Sequence, residues 1–137
     1  PLEGAKQFCD ELRADHQLII LSDTFQQFAT PMMRQLDWPT IFCHELILDT
    51  DGRITDYKLR KADHKRETVK RLHELNFSVV AAGDSYNDTT MLSEAEQGIL
   101  FCPPQNVIDE FPQFPVATDY TQLRQHIDAA VATMPAR

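Results

Sequence analysis

Six residues constrain this chain more than any others: Gly83-Asp84-Ser85-Tyr86-Asn87-Asp88, placed directly after the apolar run Phe77-Ser78-Val79-Val80-Ala81-Ala82. A buried strand that stops at Gly-Asp carries a carboxylate to the carboxyl end of a sheet, where open α/β folds hold their ligands. Asp84 then stands on the strand tip. Asp88 falls in the first turn of a helix that begins near Asn87 and runs through Thr90-Met91-Leu92. Mg²⁺ suits such a pair, because it prefers oxygen ligands, keeps several waters and takes one or two carboxylates plus substrate phosphate. The plainer reading has Asp88 favouring the helix N-terminus and Asp84 capping a turn.

Strands and helices alternate along the rest of the chain. Leu2, Ala5, Phe8, Cys9 and Leu12 recur at helical spacing, which predicts an amphipathic helix over 2–15. Gln17-Leu18-Ile19-Ile20-Leu21-Ser22-Asp23 is apolar on both faces, the pattern of a parallel strand covered by helices on each side, and it has a polar end. Phe25, Phe28, Met32, Met33 and Leu36 predict a second helix over 24–37 with these side chains in the core and a restart or kink at Pro31. Segments 41–48 and 53–59 flank Asp49-Thr50-Asp51-Gly52 as a β-hairpin would. A charged helix over 63–76 follows, with Val69, Leu72 and Leu75 inward and Asp63 as its N-cap. Beyond the motif come a short strand Gly98-Ile99-Leu100-Phe101, a short helix from Asn106 to Phe111 and a loop between Pro112 and Pro115. A closing helix from Tyr120 to Met134 ends in a frayed tail at 135–137. The alternation implies a three-layered α/β fold, mostly parallel, with an inserted hairpin.

With 137 residues and 42% apolar content, a single domain over 1–137 is expected. Thirteen basic against 21 acidic residues leave a net charge of −8, which argues against a nucleic-acid partner and requires any phosphate to be held locally. Cys9, Cys43 and Cys102 form no Cys-x-x-Cys pair; they read as small buried hydrophobes in a reducing compartment rather than as a zinc site or disulfide framework. His16, His44, His64, His73 and His126 show no metal-ligand spacing and read as surface or hairpin residues. No apolar run approaches a membrane span and no signal peptide is visible, so the cytoplasm is the default location.

Three polar clusters fall where strands or helices deliver them to one edge of such a sheet: Ser22-Asp23-Thr24, Lys65 near a helix start, and Gly83-Asp84 through Asp88. A hydroxyl and free N–H groups after a strand donate to phosphate oxygens. A lysine offsets the charge that develops on a phosphoryl group, and a carboxylate-bound Mg²⁺ clamps that group and shields it from an anionic nucleophile. Each cluster has a plainer rival. Ser22 and Thr24 are equally suited to capping the next helix, and Lys65, in a run with His64, Arg66, Lys70 and Arg71, reads by itself as solvated helix surface.

Together, and in this order, the clusters resemble the haloacid dehalogenase (HAD) superfamily of phosphatases. The strand ending in Ser22 resembles the family's second motif, Lys65 its third, and Gly83 through Asp88 its fourth. Leu21-Ser22-Asp23-Thr24-Phe25, Met33-Arg34-Gln35-Leu36, Ala82 through Ser93, Gly98-Ile99-Leu100-Phe101 and Glu110 through Pro115 are similar to the phosphoserine phosphatase branch. The nearest resemblance is to its bifunctional phosphoserine phosphatase/homoserine phosphotransferase members, over essentially the whole chain. This resemblance implies a Rossmann-like HAD core and Mg²⁺-dependent hydrolysis of O-phosphoserine through a phosphoaspartyl enzyme, in which a carboxylate nucleophile splits one hard displacement into two. It also implies homoserine as a second acceptor. By the same resemblance Ser22 and Asp23 contact substrate or phosphoryl oxygens, Lys65 pairs with phosphate, Asp84 ligates Mg²⁺ and Asn87 contacts substrate. Asp88 supports the metal site from behind, and Ser22, Lys65, Asp84 and Asp88 form the catalytic set.

The family's first motif, Asp-x-Asp or Asp-x-Glu on the first strand, supplies the nucleophile and an acid/base carboxylate; it is missing from 1–137. Asp49-Thr50-Asp51-Gly52 has the spelling, but it follows the second motif between hairpin segments and reads as a turn. The expectation is therefore the C-terminal part of a HAD core without its first strand and helical cap, completed by an N-terminal segment or a second polypeptide. The strands at 18–21 and 79–82 are then apolar edges, and a homodimer is the default oligomer. Two rivals remain. One is a non-catalytic piece that keeps a Mg²⁺ and phosphate cradle or an assembly surface. The other, a phosphorelay receiver, needs a phosphoacceptor Asp on an inner strand and an early acidic pair, neither of which is present.

Overall fold

The computed structural model describes residues 1–135; positions 136 and 137 of the expected frayed tail lie outside them. The chain divides into two compact units, Pro1–Ala62 and Asp63–Arg137, and each contains a three-stranded sheet. The expected α/β architecture is present, parallel throughout except for one antiparallel hairpin.

In the first unit, helix α1 (Ala5–Asp15) leads into strand β1 (Ile19–Phe25), helix α2 (Gln26–Gln35), and the hairpin of β2 (Thr40–Leu48) and β3 (Ile54–Lys58), in sheet order β1-β2-β3. Ala29, Met33 and Leu36 form a buried cluster against Ala5, Ile20 and Ile41. At the hairpin tip Asp49 Oδ1 accepts from the N–H groups of Asp51 and Arg53, and Gly52 takes a left-handed φ of 79°. The Asp-x-Asp-Gly spelling is therefore a turn. Parallel pairing of β1 ends at Phe25 opposite His44, and beyond it the Gln27 carboxamide takes over. Its Nε2 donates to Leu46 O at 3.0 Å while its Oε1 accepts from Leu46 N–H at 3.0 Å. A side chain thus satisfies two strand groups that β1 does not reach. On the outer strand β3, Tyr57 N–H donates to Asp56 Oδ1 at 2.8 Å, a local bond that blunts the open edge.

Three expectations for this unit are corrected. β1 runs on through Ser22-Asp23-Thr24 to Phe25 with an irregularity after Leu21, so the polar triplet lies in the strand's end rather than at a helix start. The restart expected at Pro31 is absent, since Pro31 sits inside one continuous helix. Phe28 and Met32 are 62% and 46% exposed, because a short helix laid on a sheet buries one stripe, and Ala29-Met33-Leu36 already fills it.

The second unit contains α3 (His64–Glu74), β4 (Val80–Gly83), a 3₁₀ turn (Tyr86–Asp88), α4 (Thr89–Glu94), β5 (Gln97–Phe101), α5 (Gln105–Glu110), β6 (Val116–Ala117) and α6 (Tyr120–Thr133). Its strands are parallel in the order β4-β5-β6. Val69, Leu92, Ile99, Leu100 and Val107 are fully buried. β1 and β4 each stand at one end of their own sheet, as expected of the two apolar strands.

Here too the sequence pattern misleads in places. The strand expected from Phe77 starts at Val80, because Asn76, at φ 64°, still terminates α3, with Phe77 N–H donating to Leu72 O. Leu75, expected inward, is 68% exposed at that helix end. β6 is too short for periodicity to announce; it is held by Leu100 N–H donating to Pro115 O and Cys102 N–H donating to Ala117 O. All three cysteines are free, but only Cys43 is buried; Cys102 is exposed, with its thiol donating to Thr118 O. No helix among the described residues is long and apolar enough to cross a membrane.

Candidate functional site

β4 ends at Gly83, so Asp84 leaves the sheet at the carboxyl end of parallel strands, as the sequence predicts. Asp88 folds back beneath that end. Its Oδ2 accepts from Asp84 N–H at 3.0 Å, Ser85 N–H at 3.2 Å and the Ser85 hydroxyl at 3.2 Å. Its Oδ1 accepts from Lys65 Nζ at 2.8 Å. Gly83 makes the room: a Cβ there would lie 2.5 Å from Asp88 Cβ and 2.7 Å from its Oδ2. Burial pushes the Asp88 carboxyl up, but the Lys65 hydrogen bond and charge, with the Ser85 and Asp84 N–H donors, outweigh it and hold the group below the usual carboxylate range. The Lys65 and Asp88 side chains are only 11% and 9% exposed, which removes the reading of Lys65 as solvated helix surface.

The two carboxylates of the motif are therefore unlike. Asp88 is buried and engaged by four donors. Asp84 and Asn87 are exposed, and no described residue bonds either side chain. An exposed carboxylate at a strand's carboxyl end fits Mg²⁺, which needs one or two such ligands and keeps water on its remaining positions. Asp63 occupies the N-cap position of α3 without capping it: its backbone is left-handed at φ 45°, and its Oδ1 accepts from the Thr90 hydroxyl at 2.9 Å. That bond ties the start of the helix carrying Lys65 to α4.

In the first unit, Ser22 Oγ accepts from Thr24 N–H at 3.2 Å across the strand irregularity. It does not cap α2, whose N-cap is Phe25 and has no side-chain cap. Asp23 is exposed, and next to it lies a residue the sequence reading passed over. His44, expected as a hairpin or surface residue, is 7% exposed. Its Nδ1 accepts from Arg60 N–H at 3.1 Å, which places the ring proton on Nε2, 3.7 Å from Asp23 Oδ1. The available signal was a polar residue interrupting an apolar strand next to a polar strand end. His64 is likewise buried rather than on the surface. The structure thus gathers Lys65, Asp84, Ser85 and Asp88 in the second unit, and Ser22, Asp23 and His44 at one strand end of the first.

The profile of the haloacid dehalogenase-like hydrolases matches residues 1–93. Phosphoserine phosphatase ThrH of Pseudomonas aeruginosa is 55% identical over 125 residues, which are 91% of this chain and 61% of that protein. A phosphoserine phosphatase of Pseudomonas syringae pv. tomato is 54% identical over 91% of this chain and 53% of its own length. Among solved structures, a substrate-bound phosphoserine phosphatase complex has the same fold, with a TM-score of 0.75 at 24% identity over 92% of this chain and 63% of that one. The chain spans less than two thirds of each of these relatives.

Proposed function

Since the chain belongs to the haloacid dehalogenase-like hydrolase family, we propose that it forms part of a Mg²⁺-dependent phosphomonoesterase acting on O-phosphoserine, with phosphoryl transfer to homoserine as a second outcome. The names of the relatives support the substrate. The observation that carries the chemistry is the unequal pair at 84–88: one carboxylate is locked against Lys65 and backbone N–H groups while the other is exposed with its side chain unengaged.

Each residue then has a defined task. Asp84 offers the carboxylate for Mg²⁺, which supplies positive charge to the phosphate and shields it from an anionic nucleophile. Asp88 holds the Asp84-Ser85 backbone and fixes the Lys65 ammonium, which offsets phosphoryl charge. Ser22, whose Oγ lone pair is taken by Thr24 N–H, keeps its hydroxyl proton for a phosphoryl oxygen. Asp23 and Asn87 contact substrate. The nucleophilic aspartate that the family resemblance requires is not among residues 1–137, so turnover is proposed for the intact protein and not for this segment alone. Residues 1–137 serve there as one portion of a single HAD core, in a cytoplasmic, homodimeric enzyme of small-molecule metabolism.

Phosphate release from O-phosphoserine by the intact protein tests the reading. Turnover should stop on chelation and return with Mg²⁺, and Asp84→Asn should move the Mg²⁺ requirement to higher concentration. Turnover indifferent to Mg²⁺, or no preference for phosphoserine over other phosphomonoesters, overturns it. Retained phosphate binding with no turnover at all establishes the non-catalytic cradle instead.

A further inference from the structure

The loop that presents Asp84 and Asn87 is held from inside by Asp88, and from outside by a residue that the proposed reaction does not use. Tyr86 opens the 3₁₀ turn, and its hydroxyl donates to the Glu110 carboxylate on α5. The Tyr86 ring meets Phe111 edge-on, with centroids 5.8 Å apart, and Phe111 stacks on Phe114 at 6.2 Å. Phe114 is 9% exposed, packed where Gly98 of β5 leaves no room for a side chain. A continuous aromatic path therefore runs from the motif loop into the core of the second unit.

We propose that Tyr86 is a positioning residue that clamps the 3₁₀ turn to α5 and thereby sets where the Asn87 carboxamide is presented to substrate. Tyr86 is 45% exposed, and an ordinary surface tyrosine needs no partners; this one has its hydroxyl and its ring held by two adjacent residues, Glu110 and Phe111. The turn has only three residues. Tyr86 is anchored outward and Asp88 inward, so Asn87 lies between two held neighbours. Asp84 is fixed differently, through its own N–H on Asp88, so the clamp acts on substrate binding and not on the metal ligand. The inference rests on the reading of Asn87 as a substrate contact.

Steady-state kinetics of the intact protein on O-phosphoserine, with the variants Tyr86→Phe, Glu110→Ala and Glu110→Gln, test it. Tyr86→Phe and Glu110→Ala should raise KM roughly three- to tenfold, the size of one lost hydrogen bond, with kcat within about twofold and an unchanged Mg²⁺ requirement. Glu110→Gln keeps an acceptor and should restore the wild-type KM. The double variant Tyr86→Phe/Glu110→Ala should be no worse than either single one. An unchanged KM in both disrupting variants, or a kcat loss with a shifted Mg²⁺ requirement, overturns the inference. A wild-type protein without turnover instead defeats the functional reading on which it rests. Amide exchange at 85–88 then decides the clamp: faster exchange in Tyr86→Phe and Glu110→Ala but not in Glu110→Gln supports it, and equal exchange in all overturns it.

Discussion

In the second unit Ile99, Leu100, Val107 and Ala117 expose no surface, and Lys65 and Asp88 form their ion pair nearly out of water. In the first, every residue of β3 is exposed, Phe28 and Trp38 are open to solvent, and Asp23 rides an irregular strand end. The difference lies in how far water reaches each polar group. Asp88 has four donors on two oxygens and a strand glycine cut away to admit it; the Asp23 side chain is 49% exposed, with His44 Nε2 3.7 Å from its Oδ1. Asp88 and Lys65 are therefore built into the fold of the second unit, whereas Asp23 stands where solvent screens its charge.

The largest expected effect is at Lys65. Lys65→Ala leaves a carboxylate that is 9% exposed without its cation, and breaking a buried pair in this way costs about 3–5 kcal/mol. Denaturant unfolding of the intact protein reads that loss, alongside a fall in phosphoserine turnover. Acid gives a second readout. Because the folded Asp88 carboxyl sits below its unfolded value, its contribution is fully present above roughly pH 4 and is lost as pH falls through the lower folded value. Lys65→Ala should lose much of this acid dependence. A Lys65→Ala protein as stable as wild type would place both residues in the first unit's class.

Two glycines sharpen the comparison at a smaller scale. Gly83→Ala drives a Cβ into Asp88 and should cost about 1–3 kcal/mol by overpacking, with activity falling as Asp88 shifts. Gly52 has nothing within 4 Å of such a Cβ; its need is the left-handed φ of 79°. Gly52→Asn should therefore be nearly neutral, within about 0.5 kcal/mol, since asparagine tolerates that conformation, whereas Gly83→Asn should be worse than Gly83→Ala. Thermal melts of the three variants separate a demand for space from a demand for conformation.

What could be read from the sequence follows the same division. The Gly83-Asp84 strand tip, the hairpin around Asp49–Gly52 and the burial of Val69 all rest on contacts between near neighbours or on one helical stripe, and patterning reports those. The Lys65–Asp88 pair joins residues 23 apart, so spacing along α3 left Lys65 looking like solvated surface. Phe28 and Met32 misled because periodicity marks an apolar face without saying how much of it a partner covers. Asp63 had the right residue type for a cap, yet its carboxylate goes to Thr90 on α4. His44 became visible only once strand pairing set it opposite Phe25, beside Asp23.

Gln27 offers an intermediate case within the first unit. Its carboxamide alone satisfies both backbone groups of Leu46 beyond the last β1 pairing, so Gln27→Ala should cost about 1–3 kcal/mol by leaving two strand groups unpaired. Gln27→Glu removes the donor and retains the acceptor, and should cost less. Equal unfolding midpoints for wild type and Gln27→Ala would show that water replaces the carboxamide at no loss.

Asp23 carries the smallest stability effect and the cleanest separation of fold from chemistry. Asp23→Asn preserves the shape of the side chain and an oxygen facing His44 Nε2–H. Its carboxylate is 49% exposed, so the lost charge is already screened by solvent and the change should stay within about 0.5 kcal/mol. If Asp23 contacts substrate as proposed, turnover on O-phosphoserine falls while the unfolding midpoint does not move, the reverse of the coupled losses expected at Lys65. A destabilisation as large as that of Lys65→Ala would show that the His44–Asp23 contact carries structural load, and that the two units differ in exposure but not in how their polar residues are held.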